Sequence, residues 1–355
     1  MNYIQNMSSN KNVVYYNSNY IDVKNGGVSA WQGSRAVAED IFLLCGTTNP
    51  TPQTGEGIIY SGNISFTDGQ IYYQNVPNSL YTSVYGPNYD PDTGIYNFVG
   101  SYTDIEKNTK GYIYTGRLNE IELATETNYS YPSVNKFYNI VFVHSISNGY
   151  TVGNAGNTDK GDTTAFLYKI TKLKKPIEIK YPGSLTTTAY GIWYNKNNNT
   201  YTIVGGYSPD KKIPINKIYE NNLILPIGKP YIVDFNPVTN TFENWTTLNL
   251  PLNIDILAHI EGISGFYGID GVYSLSIDTI NNSANLGYYA VISRDKTFGF
   301  IVTKFTEVKY EKTEPCACFK KSIGISTINS VANNNIVGLY ISPQGNQSFQ
   351  ATILG

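Results

Sequence analysis

The residues that could carry acid–base or metal chemistry are few, because the 355-residue chain contains only two histidines and three cysteines. His259 stands two residues before Glu261, whereas His144 ends the apolar run Ile140–Val143 and is expected to be a packed or rim residue. A Ser/His/Asp triad needs a histidine joined to a carboxylate and a nucleophile, and zinc needs three or four His, Cys or carboxylate ligands. Two separated histidines meet neither requirement, so the sequence predicts no metal and no cofactor.

The carboxylates offer one further possibility. Glycosidases use paired carboxylates that flank the bond to be cleaved. Glu261 is the one acid that we assign to such a position, because Asp162, Asp255 and Asp270 have the setting of turn residues. Glu261 is therefore the sole candidate for a catalytic residue. A solvated loop is the alternative interpretation of the stretch from His259 to Glu261.

The cysteines do not form a disulfide framework, because their number is odd. Cys45 lies in an apolar run and is expected to be a small core residue. Cys316 and Cys318 follow Pro315 in a predicted loop, and they are either ordinary loop residues or a redox or metal pair.

The elements that must position these residues are repeated strands. An apolar pair or triplet followed by glycine recurs every 52 to 54 residues over its first four copies, and a fifth copy follows after a gap that fits two enlarged units. The glycines of this motif are Gly46, Gly100, Gly153, Gly205 and Gly338. In the missing copy, within Val272–Ile277, we expect Leu275 or Ser276 in place of the glycine. An apolar third strand keeps step with the motif, at 57–60, 111–114, 165–168, 230–233, 287–290 and 348–351.

A period near fifty residues with four short strands in each unit is typical of a β-propeller. The chain is therefore predicted to be all-β and to form a single domain, a six-bladed β-propeller of four-stranded antiparallel blades. The predicted blades cover residues 27–76, 80–122, 136–180, 186–250, 254–308 and 321–355. The last blade shows only three strands, so we predict that Val13–Tyr16 supplies its fourth and closes the ring. A helical turn is also predicted over Ser34–Glu39.

Composition narrows the function classes. Only 15% of the residues are charged and the net charge is −2, so the concentrated basic face that nucleic acid requires is not expected. No apolar run approaches the roughly 20 residues of a membrane helix, and no signal peptide is visible at the N-terminus. The location stays unknown from the sequence, with a cell surface or a virus particle favoured.

A resemblance supports the same fold. The runs Ile179–Ser184, Thr188–Ile192 and Ile203–Ser208 resemble the bacterial HAF-type extracellular repeat, which has an Ile/Val-Val-Gly strand, an aromatic strand, a Pro-Gly run and an Ala-x-Gly-Ile strand. Residues 230–248 resemble one kelch blade. The chain lacks the histidine that usually precedes the aromatic strand of the HAF repeat. Both resemblances imply a propeller, and neither implies catalytic residues.

In a propeller, the loops that lead into the inner strands share one face around the axis, and His259 and Glu261 are expected there. Aromatic residues in or just after inner strands, namely Tyr85, Trp193 and Tyr267, either pack between blades or face the rim and contact a ligand. The predicted ligand site therefore comprises His259, Glu261, Trp193, Tyr85 and Tyr267.

The predicted function is that of a non-enzymatic binding or structural module that takes a protein or glycan ligand on the axial face. The alternative is a glycan-processing hydrolase with an axial carboxylate site. Carboxylates distinguish the two, because an enzyme should place at least two of them within about 10 Å in a funnel. A binding module should show an aromatic or polar rim without such a pair.

Overall fold

The fold is known from a computed structural model that describes residues 6–7, 13–16, 28–51, 54–133, 140–157, 162–170, 175–209, 212–214, 224–226, 228–251, 257–266, 269–281, 284–295, 297, 299–308, 326–342 and 345–354. Within these ranges the chain is almost entirely β-strand, with two short 3₁₀ helices at Leu118–Leu123 and Glu126–Asn128. None of the helices among these residues is long and apolar enough to cross a membrane. The predicted all-β class is confirmed.

The strands fall into consecutive groups. The N-terminal part contains β1 (Asn6–Met7), β2 (Val13–Tyr16), β3 (Val28–Ala36), β4 (Phe42–Thr51), β5 (Thr54–Gly62), β6 (Gly69–Gln74), β7 (Ser79–Asp90), β8 (Ile95–Asp104), β9 (Thr109–Gly116) and β10 (Tyr129–Ser130). The middle part contains β11 (Ile140–Ser147), β12 (Tyr150–Asn157), β13 (Asp162–Lys169), β14 (Ile177–Ile179), β15 (Ser184–Asn195), β16 (Thr200–Pro209), β17 (Lys212–Pro214), β18 (Ile224–Pro226), β19 (Lys229–Asn236) and β20 (Thr241–Thr247). The C-terminal part contains β21 (Leu257–Phe266), β22 (Ile269–Asn281), β23 (Ala284–Asp295), β24 (Gly299–Val308), β25 (Ser326–Ala332), β26 (Asn335–Ser342) and β27 (Gly345–Ile353).

Neighbouring strands within a group pair antiparallel, in the orders β3-β4-β5-β6, β7-β8-β9-β10, β11-β12-β13-β14, β15-β16-β19-β20, β21-β22-β23-β24 and β25-β26-β27-β2. Single parallel bridges join the third strand of some groups to the first strand of the next, as at Gly55 and Tyr81 or at Leu286 and Ser326. These bridges merge several groups into sheets of nine and twelve strands, while β15-β16-β19-β20 remains a separate four-stranded sheet.

The first strands of the groups contact one another in succession, from β3 to β7, β11, β15, β21 and β25, and β25 contacts β3. Between each pair of successive groups lies a cluster of buried apolar side chains, such as Leu43, Phe98 and Tyr114 between the first and second groups. The equivalent cluster between the last group and the first contains Trp31, Leu44 and Val337. Each sheet therefore buries its two faces against its neighbours, which is a propeller-like arrangement.

The N-terminal strand seals the last group as predicted. Strand β2 pairs antiparallel with β27, with register partners from Val13 and Ile353 to Tyr16 and Gln350. Tyr15 is buried, and its ring lies edge-on to Phe349 with centroids 5.7 Å apart. The predicted pairing of Val13–Tyr16 with the C-terminal sheet is confirmed.

Two local predictions are wrong. Residues 34–36 continue strand β3 instead of starting a helical turn, because they pair with Phe42–Leu44 of β4. In the fifth group, the position of the motif glycine is taken by Ile277 rather than by Leu275 or Ser276, since Ile277 is the register partner of Ile260. Elsewhere a Cβ atom at the motif glycine would clash with a first-strand carbonyl, at 1.9 Å from Ser83 O in the case of Gly100.

We expect Tyr15→Ala to lower the free energy of unfolding by about 3 kcal/mol, because the substitution empties a buried ring site in the contact that joins the two ends of the chain. Urea unfolding followed by tryptophan fluorescence measures the change. Val14→Ala is the matched control, because Val14 belongs to the same strand and projects to the opposite side. Equal effects of the two substitutions would contradict the assigned role of Tyr15.

Candidate functional site

Each first strand carries an irregularity at one equivalent residue. The register with the second strand shifts there by one position, which leaves that residue outside the regular pairing as in a β-bulge. The six residues are Gln32, Tyr85, His144, Tyr190, Glu261 and Asn329. All six line one cavity of about 30 Å³, so the bulges direct this whole layer of side chains toward the axis.

The residue after each bulge is glycine or serine, and at Gly33 and Gly86 the neighbouring first strand leaves no room for a side chain. A Cβ atom on Gly33 would lie 1.9 Å from Tyr85 O, and one on Gly86 would lie 2.8 Å from His144 O. Between the last group and the first, Ser34 N donates to Ser330 Oγ at 3.0 Å. The first strands are thus locked to one another at the bulge, and the axis is nearly filled.

His259, Glu261 and Asp278 meet on one side of this layer. His259 Nε2 and Glu261 Oε1 share a hydrogen bond, and Asp278 is the register partner of His259 on β22. The imidazole and the two carboxylates each offer an atom, and these three atoms all lie within 4.8 Å of one another. The side chains of His259 and Glu261 are 30% and 22% exposed, so solvent reaches the cluster.

Asp278 also holds the next sheet in place. Its Oδ1 accepts a hydrogen bond from the backbone N–H of Ile328, at 2.9 Å. Ile328 is the residue just before the bulge at Asn329. Asn154 plays the same part in the third group, where its Oδ1 accepts the N–H of Ala189 at 2.8 Å. An amide therefore suffices for this structural bond, and the ability of Asp278 to carry a charge is not needed for it.

The surroundings shift the pKa values of the cluster. Burial raises the pKa of Asp278 to about 8, and the nearby Glu261 carboxylate adds to the rise. Burial opposes protonation of His259, but the charge and hydrogen bond of Glu261 outweigh it, so the pKa of His259 is raised. Burial lowers the pKa of His144 to about 4. At neutral pH the site thus contains a neutral His144 beside an imidazole–carboxylate pair.

Aromatic rings connect the two histidines. The His144 ring stacks on Tyr85 with centroids 5.4 Å apart and meets Tyr190 edge-on at 4.8 Å. The Tyr190 ring lies 5.1 Å from that of His259. Tyr85 is further held by a hydrogen bond between its hydroxyl and Ser101 Oγ at 2.7 Å. These rings pack the axis beside the charged cluster.

The predicted site residues have different locations. His259 and Glu261 lie together, and Tyr85 belongs to the same axial layer. Trp193 lies three residues beyond Tyr190 on β15. The Arg35 guanidinium carbon lies 5.2 Å from the centroid of the Trp193 ring, so Trp193 packs away from the cluster. Tyr267, Asp255, Cys316 and Cys318 lie outside the described residues. Asp270 is exposed at the start of β22 and hydrogen-bonds Asn197.

Asp278, Tyr190 and Arg35 were not predicted. Arg35 donates to Pro87 O and Ile146 O, both at 2.8 Å, and so ties three first strands together. A signal for the axial layer does exist in the sequence, because an apolar residue, a variable residue and then Gly or Ser recur at 31–33, 84–86, 143–145, 189–191, 260–262 and 328–330. Asp278 has no comparable signal, because only the pairing of β21 with β22 brings it to His259.

Comparisons with known proteins give a general likeness only. No protein-family model matches the chain, and no curated protein matches it. Among solved structures, a luciferin-regenerating enzyme aligns over 92% of both chains with 10% identity and a TM-score of 0.48. A subtype N11 neuraminidase-like protein of a flat-faced bat isolate (H18N11) aligns over 97% of this chain and 94% of its own, with 11% identity and a TM-score of 0.48. The soluble aldose sugar dehydrogenase of Escherichia coli aligns over 92% and 97%, with 10% identity and a TM-score of 0.43.

We expect His144 to weaken the fold in acid. Because its pKa in the folded chain is lowered to about 4, its contribution to stability is complete above the unfolded value of about 6.5 and is lost as the pH falls through 4, by up to about 3 kcal/mol. The groups that face it are Tyr85, Tyr190, His259 and Glu261. Urea unfolding between pH 4 and pH 7 should show a shallower loss for His144→Gln than for the unsubstituted chain. Parallel pH profiles of the two proteins would contradict the assignment.

Proposed function

We propose that the chain is a single six-bladed β-propeller. The support comes from the six antiparallel groups among the described residues, the bulge that each first strand carries, and the contact of β25 with β3. The six clusters of buried apolar side chains, each lying between two successive groups, agree with this count. The HAF-type resemblance of the middle units stays part of the same proposal.

The function that the geometry supports best is glycan binding at the solvent-accessible cluster of His259, Glu261 and Asp278, which we call the mouth of the axis. The observation that carries it is the convergence of Glu261, His259 and Asp278 at a solvent-accessible point above a filled axial layer. Carboxylate and imidazole groups hydrogen-bond sugar hydroxyls, and the neighbouring Tyr190 ring provides apolar contact. The cavity beside Glu261 measures about 30 Å³, whereas sites that enclose a small molecule occupy about 300–1,000 Å³. The ligand is therefore bound by a terminal or projecting group.

A glycan-processing hydrolase is the second candidate, and one observation favours it. Glu261 and Asp278 place carboxylate oxygens within 4.8 Å of each other, a feature that we expected of an enzyme and not of a simple binding rim. Retaining glycosidases hold their two carboxyl groups about 5–5.5 Å apart. The small cavity weighs against this candidate, because a sugar ring has to enter between the two groups.

Glycan-array binding and hydrolysis of a panel of nitrophenyl glycosides test both candidates on the same protein. If the chain binds glycans, Glu261→Gln should weaken binding by about 10- to 100-fold, because hydrogen bonds to a charged group contribute about 1.5–3 kcal/mol. Glu243→Gln is the control, since Glu243 is an exposed carboxylate on the outer strand β20. Hydrolysis that is lost in both Glu261→Gln and Asp278→Asn would establish the enzyme instead. Binding that is equal in the unsubstituted chain and in Glu261→Gln would overturn the proposal.

A further inference from the structure

The cluster at the mouth of the axis has the composition of a metal site. An imidazole nitrogen and two carboxylate oxygens lie within 4.8 Å of one another, on His259, Glu261 and Asp278. Ligand atoms bound at 2.0–2.1 Å to a tetrahedral ion lie about 3.3 Å apart. The three side chains therefore need only small rotations to share one ion, and the ion would replace the hydrogen bond between His259 and Glu261.

The backbone holds each of the three donors in place. Asp278 is fixed by the N–H of Ile328, and Glu261 is the bulged residue of β21. His259 lies over Gly206, where a Cβ atom would come within 2.8 Å of His259 Cβ. A hydrogen bond such as that from Ile328 N–H orients a metal ligand, and the loss of such bonds commonly costs 10- to 100-fold in metal affinity.

Ser276 has a buried hydroxyl without a hydrogen-bond partner among the described residues, on the same strand as Asp278. Ser276 and Asp278 are two residues apart on β22, so their side chains project from the same face of the strand. The Ser276 hydroxyl lies beside Gly262, next to the bulge at Glu261. A bound ion with its water molecule offers such a hydroxyl a partner.

The fifth group also departs from the others at this point. In the other five groups the second strand carries the motif glycine, and a first-strand carbonyl oxygen lies too close to this glycine for a Cβ atom to fit. Ile277 replaces that glycine between Ser276 and Asp278 and opposite Ile260. The local change coincides with the positions of the three donors, which indicates that this group is adapted for a purpose other than ring closure.

We propose that His259, Glu261 and Asp278 bind one divalent transition-metal ion, with Zn²⁺ as the best match, at the mouth of the axis. An imidazole among the ligands favours zinc or a neighbouring transition metal over calcium and magnesium, which prefer oxygen ligands alone. Three protein ligands leave one position open, and the exposed side of His259 and Glu261 lets a ligand reach it. The proposal deepens the proposed function and rests on its assignment of ligand binding to this mouth. The open coordination position of the ion is available to a sugar hydroxyl.

The test is a calorimetric titration of the metal-stripped full chain with Zn²⁺ alone, in a background of Cys316→Ser and Cys318→Ser so that these thiolates cannot bind the ion. We expect one ion per chain and a higher melting temperature with Zn²⁺ present. Asp278→Asn, Glu261→Gln and His259→Gln should each weaken binding at least 10-fold. Asp278→Asn is the most informative of them, because Asn154 shows that an amide still holds the next first strand.

The control is Asp270→Asn, which removes an exposed carboxylate from the same strand and should leave the Zn²⁺ affinity unchanged. Absence of Zn²⁺ binding, or equal affinity in all three variants and the control, would overturn the metal site. Repeating the glycan assay with EDTA and with Zn²⁺ separates the two proposals. Zn²⁺ binding without glycan binding would uphold the metal site alone. If the chain binds no Zn²⁺ and EDTA does not change its glycan binding, only the proposed function is upheld.

Discussion

The close approach of neighbouring first strands at the bulge is the constraint on which the rest of the structure depends. At Gly33 the neighbouring first strand approaches so tightly that a Cβ atom would lie 1.9 Å from Tyr85 O, and at Gly86 a Cβ atom would lie 2.8 Å from His144 O. The first strands contact one another in succession, and buried apolar clusters lie between the successive sheets. A bulge also turns its side chain out of the pleat, so the same feature that joins the sheets fills the axis.

Filling the axis has a consequence for the site. With Gln32, Tyr85, His144, Tyr190, Glu261 and Asn329 in one layer, the central space is reduced to about 30 Å³. Among the described residues, the axial space is too small to enclose a sugar ring, and the side chains of His259 and Glu261 remain partly exposed beside it. The bulged residue of the fifth group, Glu261, meets partners there that none of the other bulged residues has, because His259 precedes it by two residues and Asp278 lies across the strand pair.

Much of the fold could be predicted from the sequence, because its signals are local. The motif glycines mark a backbone approach within one hairpin, and the missing strand of the last unit pointed to Val13–Tyr16, which pairs with β27. The site was only half predictable. His259 and Glu261 are neighbours in the chain, whereas Asp278 reaches them only through the register of β21 and β22. The predicted role of Trp193 took no account of Arg35, a residue of another sheet that covers its ring.

The buried charges of the chain differ in how well the fold accommodates them. Asp234 receives both arms of Arg294 at 2.7 and 2.8 Å, together with Thr202 and Asn244, so its charge is fully compensated. Asp278 has one backbone partner and lies between the Glu261 carboxylate and the His259 imidazole, and its raised pKa means that stability falls as the pH rises from about 4 to about 8. Asparagine would make the same backbone bond without this cost, as Asn154 does. A carboxylate kept where an amide would fold better is the pattern expected of a residue that serves function rather than stability.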